Sequence, residues 1–230
     1  MNAVETAMEG LRNKIASGEL AAGQKCPPEA ELSAQLGVSR SSLREAVRAM
    51  SALGVMESRH GSGTYVSSLD PTVVLQNFAL LVDLLPLDRL LELFEIRRLL
   101  ESHAAATTAA NATPEDLTEL MALVASMEAA VDPTEYAELD SRFHEAVCRA
   151  KGNSTLSTLV RVFRSRGDHF HIYDGEEGEI VRANSTAGHR AIASAIVDRD
   201  PTSAATAMAA HIAQTESLLK KRRASPRSQN

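Results

Sequence analysis

Tryptophan is absent from this 230-residue sequence, and Tyr and Phe together supply only 3% of it. A core without aromatic volume has to be filled by Leu, Ala, Val and Met, which favours closely packed helices over sheet surfaces. Cysteine is scarce as well. Cys26 and Cys148 are the two present, too few and too far apart for a disulfide framework or a zinc-finger pattern, so a reducing cytoplasm is the expected compartment. No apolar run approaches the ~18 residues that a membrane span needs. Residues 1–25 are mixed polar and amphipathic, so neither a membrane anchor nor a secretory signal is expected there. Two enzyme signatures are also missing: there is no His-Glu-x-x-His helix and no Gly-x-Ser-x-Gly elbow. Nor is there a basic excess. The formal net charge is −6, yet residues 1–69 hold seven Lys+Arg and seven Asp+Glu, so the whole deficit lies in residues 70–230. Any nucleic-acid contact in the first part therefore needs its basic residues focused in space.

What is present begins with Leu36–Gly54, LGVSRSSLREAVRAMSALG. Gly37-Val38 is a tight turn and Ser39 a helix N-cap. Leu43, Val47, Met50 and Leu53 form one buried stripe at helical spacing, and Arg40, Arg44 and Arg48 a basic stripe away from it. Ser39, Ser41 and Ser42 sit at the helix tip, where backbone N–H groups and the dipole favour phosphate. Such a helix suits the DNA major groove, because Arg pairs in bidentate fashion with guanine. The bland reading is a solvated charged surface helix, and the surroundings argue against it. Glu29–Leu36 carries Leu32 and Leu36 on one face and precedes the turn, giving helix-turn-helix spacing. Ala7, Leu11 and Ile15 mark an earlier amphipathic helix. After Gly54 the period changes: Val55–Arg59 and Thr64–Val66 read as two short strands around His60-Gly61-Ser62-Gly63. This hairpin is a wing whose tip offers His60 and small residues able to approach a groove.

Beyond Asp70-Pro71, the expected domain seam, the pattern is helical almost throughout. Helices are expected over Pro71–Leu85, Leu87–Ala110 (Leu90, Leu91, Phe94 and Leu99 inward), Thr113–Val131, Pro133–Lys151, Ser154–His171, Ile180–Arg199 and Pro201–Lys221, with Tyr173–Glu179 as an acidic loop. Gly152-Asn153 breaks the chain. The fold class is thus mainly α: a winged helix-turn-helix domain (1–69), an antiparallel six- or seven-helix bundle (70–222), and a basic flexible tail (223–230). No period of about 20–50 residues recurs, so the bundle is not a repeat array. Asp140 and His144 lie four apart on one helical face; His189 and His211 follow in later helices amid small and apolar residues. Each His alone reads as a packed core residue. Together with the Asp they suit a divalent cation such as Zn²⁺ or Ni²⁺, with open positions for ligand or water.

The stretch GELAAGQKCPPEAELSAQLGVSRSSLREAVRAMSALGVMESRHGSGTYV resembles the winged-helix domain of GntR-family bacterial repressors. The resemblance implies that Arg40 and Arg44 contact bases and phosphates, that Ser39, Ser41 and Ser42 hold phosphate, and that His60 and Gly61 enter the minor groove. Ala30 stands where the fatty-acid-responsive member has a DNA-contacting Arg, and Cys26 where Leu is usual, so operator sequence or affinity is expected to differ. Residues 90–215 resemble the FCD ligand-binding domain of the FadR subfamily, through EIRRLLE (95–101), DSRFHEAV (140–147), KGNSTL (151–156), GHRAI (188–192) and the late DRDP and AAHI. In metal-binding members an Asp and three His at these places are ligands, which implies Asp140, His144, His189 and His211. The acyl-CoA-binding member lacks that set, so an acyl-CoA effector is not expected. The Arg at the position of Arg97 clamps an effector carboxylate in the family; otherwise Arg97 is a surface ion pair with Glu101. His103, His169 and His171 match nothing and read as surface or rim residues.

The implied function is a cytoplasmic transcription regulator, a repressor, that binds a palindromic operator as a homodimer. A small organic acid, bound at a divalent metal (zinc first, nickel or another first-row ion next), switches it. The alternatives are a sensor whose signal is the metal itself, and a metal-dependent hydrolase.

Overall fold

A computed structural model describes residues 2–76, 78–149, 153–164 and 172–224. The expectations for Lys151-Gly152, His169, His171 and residues 225–230 of the tail lie outside the described residues. The internal contacts divide the chain into two units, Met1–Phe78 and Ala79–Asn230.

In the first unit, α1 (Ala3–Ala16) opens on a capping box: the Asn2 side chain accepts from the Glu5 N–H at 2.9 Å, and Glu5 Oε2 accepts from the Asn2 N–H at 2.9 Å. α2 (Glu29–Leu36) ends at Gly37, whose φ of +66° is the left-handed cap that glycine takes without strain. α3 (Arg40–Ala52) starts at Ser39, where Oγ accepts the Ser42 N–H at 3.1 Å. α1 and α2 pack on α3 around Ala7, Leu11, Leu32, Leu43, Ala46 and Met50. Each fully buried Leu or Met there contributes about 1.5–3 kcal/mol. One expected stripe position is corrected: Leu53 is 56% exposed, because it is the C-cap where the helix ends, and Ala46 takes the buried place instead.

The wing is an antiparallel pair, β1 (Met56–Arg59) and β2 (Gly63–Val66), with Met56 opposite Val66 and Arg59 opposite Gly63. Met56 and Val66 face the core at the same end. Residues 24–26 also join: the Cys26 N–H donates to Thr64 O at 2.8 Å, and Val66 N–H to Gln24 O at 2.9 Å. The edge of β2 is thereby covered. α4 (Pro71–Gln76), opening at the expected seam, is a single short element of this unit.

The second unit is the helical bundle: α5 (Ala79–Leu84), α6 (Leu87–Asn111), α7 (Pro114–Ala129), α8 (Pro133–Arg149), α9 (Ser154–Arg164), α10 (Gly175–Val197) and α11 (Pro201–Ala224). Two helix expectations change. The run Pro71–Leu85 is two helices, since the chain turns at Phe78, whose N–H reaches back only three residues to Leu75 O. The acidic stretch after Tyr173 is not a loop but the start of α10: Glu177 and Glu179 fall near its N-terminus, where the helix dipole favours acids. α7 begins as its sequence suggests, with Thr113 and Asp116 in a reciprocal capping box and Pro114 in the first turn. The core is Leu, Ala, Val, Ile and Met with Tyr136, Phe94 and Phe143 as its few large rings. α6 lies along α11, α10 packs on α11 and α7, and α8 on α7, α9 and α6. On α6 the inward set differs from expectation. Leu90, Leu91 and Phe94 are buried, but Leu99 is 70% exposed and Arg97 and Glu101 are buried instead.

Candidate metal centre and DNA-reading surface

Three helices deliver four donor atoms to one point inside the bundle. α8 carries Asp140 and His144 one turn apart, α10 carries His189 and α11 carries His211. All four side chains are buried, and one ligand atom from each lies within 4.8 Å of all the others. His144 Nε2 stands 3.3 Å from Nε2 of His189 and 3.3 Å from Nε2 of His211; His189 Nε2 is 3.1 Å from Asp140 Oδ1, and His144 Nε2 4.0 Å from the same oxygen. Donors held 2.0–2.2 Å from one ion at tetrahedral angles stand about 3.3–3.6 Å apart. The two His–His separations fall in that range, and the four residues could together hold a metal ion. With each imidazole protonated at Nδ1, the Nε2 lone pairs converge, and a cation would satisfy them together.

The surroundings hold that geometry. The Phe143 ring meets His189 edge-on at 4.7 Å between centroids. Gly188 makes room for His211: a Cβ there would lie 2.6 Å from His211 Nδ1. Burial and the neighbouring Arg164 guanidinium push His144 down to about 4, and burial together with the other two imidazoles holds His211 well below its usual range. Both are thus neutral near pH 7, the form that ligates a metal. Burial works against the Asp140 carboxylate, but Arg164 and His189 outweigh it and keep the group ionised.

Arg164 and the contact of Glu101 with His144 were missed by the sequence reading, which had only the Arg97–Glu101 pair. Glu101, fully buried on α6, accepts from Arg97 Nε at 2.8 Å through Oε1, and its Oε2 stands 2.5 Å from His144 Nδ1. Arg164 on α9 pairs with Asp140 and lies 3.7 Å from Glu101 Oε2. The alternative expected for Arg97, a surface ion pair, is corrected in its location. It is an ion pair with Glu101, as i, i+4 spacing suggests, but it is 5% exposed rather than on the surface. Its guanidinium sits 4.7 Å over the Phe94 ring. Its terminal amino groups have no hydrogen-bond partner among the described residues. Arg97 lines a cavity of about 30 Å³ together with Asp140, Arg164, Tyr173, His211 and Thr215. A wider cavity of about 300 Å³ is also lined by His211, with Tyr173, Asn184, Ser185, Gln214 and Thr215 among others.

In the first unit, Arg40, Arg44 and Arg48 are all exposed on α3, on the side away from Leu43, Ala46 and Met50. Arg44 is tied: its Nε donates to Glu29 Oε2 at 2.8 Å. Arg40 and Arg48 have no ion-pair partner among the described residues. Ser39 Oγ lies 2.8 Å from Ser41 Oγ and 2.9 Å from Ser42 Oγ, so the hydroxyls form one cluster at the helix tip. His60 and Gly61 are exposed at the wing turn, Gly61 with φ +70°. Beside them the wing carries two cations not singled out from sequence, Arg59, stacked 4.2 Å over Tyr65, and Lys25.

Comparison with known proteins matches this pairing of units. The family model "Bacterial regulatory proteins, gntR family" covers residues 3–66, and the "FCD domain" model covers residues 92–214. The chain belongs to the GntR family. This GntR-family chain is 31% identical over 217 residues to the putative L-lactate dehydrogenase operon regulatory protein of Escherichia coli (strain K12), spanning 92% of this chain and 84% of that protein. It is 31% identical over 160 residues to the Glc operon transcriptional activator of the same organism, spanning 66% and 62%. Among solved structures, Streptococcus agalactiae GntR superposes with a TM-score of 0.59 at 33% identity, over 93% of this chain and 99% of that one. These relatives are transcriptional regulators rather than enzymes, and so is this chain. Regulators of this family bind operator DNA and effector metabolites. Among the described residues no helix is long and apolar enough to cross a membrane.

Proposed function

We propose that the chain is a cytoplasmic, metabolite-responsive repressor that reads a palindromic operator as a homodimer and is released by a small organic acid bound at a metal. In this reading α3 lies in the major groove. Arg40, Arg44 and Arg48 reach bases and phosphates, Ser39, Ser41 and Ser42 hold phosphate, and His60 and Gly61 enter the minor groove. Asp140, His144, His189 and His211 hold the metal, zinc ahead of nickel or another first-row ion.

The observation that carries the reading is the convergence of four buried donors beside a cavity that Arg97 lines. Charge names the effector class. Among the described residues the site holds two carboxylates, Asp140 and Glu101, and two guanidiniums, Arg97 and Arg164, which cancel. A bound divalent ion with neutral imidazoles leaves an excess of two positive charges in a buried place. An anion with one or two carboxylates offsets that excess, and Arg97 supplies a second, forked contact. One relative is named for the L-lactate dehydrogenase operon, which agrees with a small acid. The metal needs no catalytic role.

The test is operator binding by fluorescence anisotropy, using an operator selected from a random-sequence DNA pool on the full-length chain. Zinc alone is titrated first, then zinc with a panel of hydroxy and keto acids. The proposal predicts that one acid class weakens DNA binding only in the presence of zinc. If zinc alone toggles binding, the metal-sensor reading replaces it.

A further inference from the structure

Of the three candidate imidazoles, one has a carboxylate at its back. The Nδ1 atoms of all three are buried without a well-aligned hydrogen bond among the described residues. His144 Nδ1 alone of the three stands within ion-pair distance of a described carboxylate, 2.5 Å from Glu101 Oε2, and Glu101 comes from a different helix, α6, with the other oxygen holding Arg97 Nε at 2.8 Å. We propose that Glu101 is a positioning residue for the metal: it fixes His144 as the tautomer that offers Nε2 to the ion, and it ties that ligand to Arg97. The inference rests on the metal reading given above.

The argument is one of donors and acceptors. An arginine Nε–H can only donate, so Glu101 Oε1 must accept from it. Oε2 is also only an acceptor, so His144 must present N–H at Nδ1. Its lone pair is then left at Nε2, which points to the other donors 3.3 Å away. A carboxylate behind a ligating imidazole orients the ring and raises its basicity. Because both oxygens of one rigid group are used, a shift of His144 onto a metal pulls on the Arg97 guanidinium, and an acid that takes Arg97 pulls on the metal ligand. Zinc and acid therefore bind with mutual dependence through Glu101.

Glu101→Gln tests this sharply. Gln has one acceptor and one NH₂. Arg97 takes the acceptor, the NH₂ turns to His144 Nδ1, and the imidazole is forced to carry its proton on Nε2, where the metal belongs. Zinc affinity, measured by competition with a fluorescent chelator, is expected to fall about 10–100-fold. The visible spectrum of the cobalt-loaded chain should change, while the thermal transition of the metal-stripped variant remains cooperative. Unchanged zinc affinity with an unchanged cobalt spectrum would reduce Glu101 to a counter-ion of Arg97. Should the variant fail to fold, nitrogen chemical shifts of His144 in the zinc-loaded wild type decide: a protonated Nδ1 supports the inference and a metal-bound Nδ1 overturns it. A wild type that binds no zinc would instead defeat the metal reading itself.

Discussion

Gly188 shows how one missing side chain shapes the site. A methyl group there would lie 2.6 Å from His211 Nδ1, closer than non-bonded atoms approach. Gly188→Ala should favour the helix itself by about 1 kcal/mol, yet displace the His211 ring. Chelator competition should therefore show zinc affinity lowered at least roughly tenfold, with the helix content by circular dichroism unchanged; equal affinity would mean that His211 is not a ligand. The buried imidazoles also set an acid dependence. His144 is depressed from 6.5 to about 4. The unfolded chain takes up its proton near 6.5 and the native chain only near 4, so stability is complete above the first value and declines as pH falls toward the second. The unfolding free energy of the metal-stripped chain, from urea titration, should drop across that window by up to about 3 kcal/mol, with His211 adding in the same direction. A flat profile there would mean that His144 is solvated. At this scale the sequence was readable in part. Asp140 and His144 at i, i+4 and two further His in small-residue surroundings sufficed to suggest the centre. The burial of Arg97 and Glu101 was not readable, because a buried i, i+4 ion pair and a surface one have the same spacing. Only the fit of α6 against α8, α9 and α11 turns that face inward.

The decisive element of the first unit is α3. Its Ser39 cap and the left-handed Gly37 before it set where the helix begins, and hence which residues stand at its tip. Arg44 enters with a partner, Glu29, but both are about half exposed. Such a pair is worth about 0.2–1 kcal/mol, less than a bidentate contact to guanine at about 1–3 kcal/mol. In the proposed complex, DNA therefore outcompetes Glu29 for the guanidinium. Arg40→Ala and Arg44→Ala should each lower affinity for the selected operator by roughly 5–150-fold, leave the thermal transition of the bundle in place, and flatten the salt dependence. Undiminished affinity would remove α3 from the groove. This element was legible because cap, turn and stripe all agree in sequence. The start of α10 was not: an acidic Gly-containing stretch reads as loop, and only the dipole of the helix that follows explains its place.

On the scale of the whole chain, a DNA-binding fold and a helical FCD domain occur in one polypeptide, and the metal is the proposed means by which the second listens. An ion held by residues of α8, α10 and α11 would tie together three helices whose shared core also includes Phe143, Ile192 and Ile212. Ligand binding to the native state alone stabilises it by about 2.7 kcal/mol at a hundred times the dissociation constant. Chelation should accordingly lower the melting temperature of the wild type and leave that of His144→Ala nearly unchanged. The most direct measurement is metal content of the dialysed full-length chain by elemental analysis, wild type beside His144→Ala. The account predicts about one divalent ion per wild-type chain and far less in the variant. A wild type without metal, or a variant loaded to the same level, would contradict it.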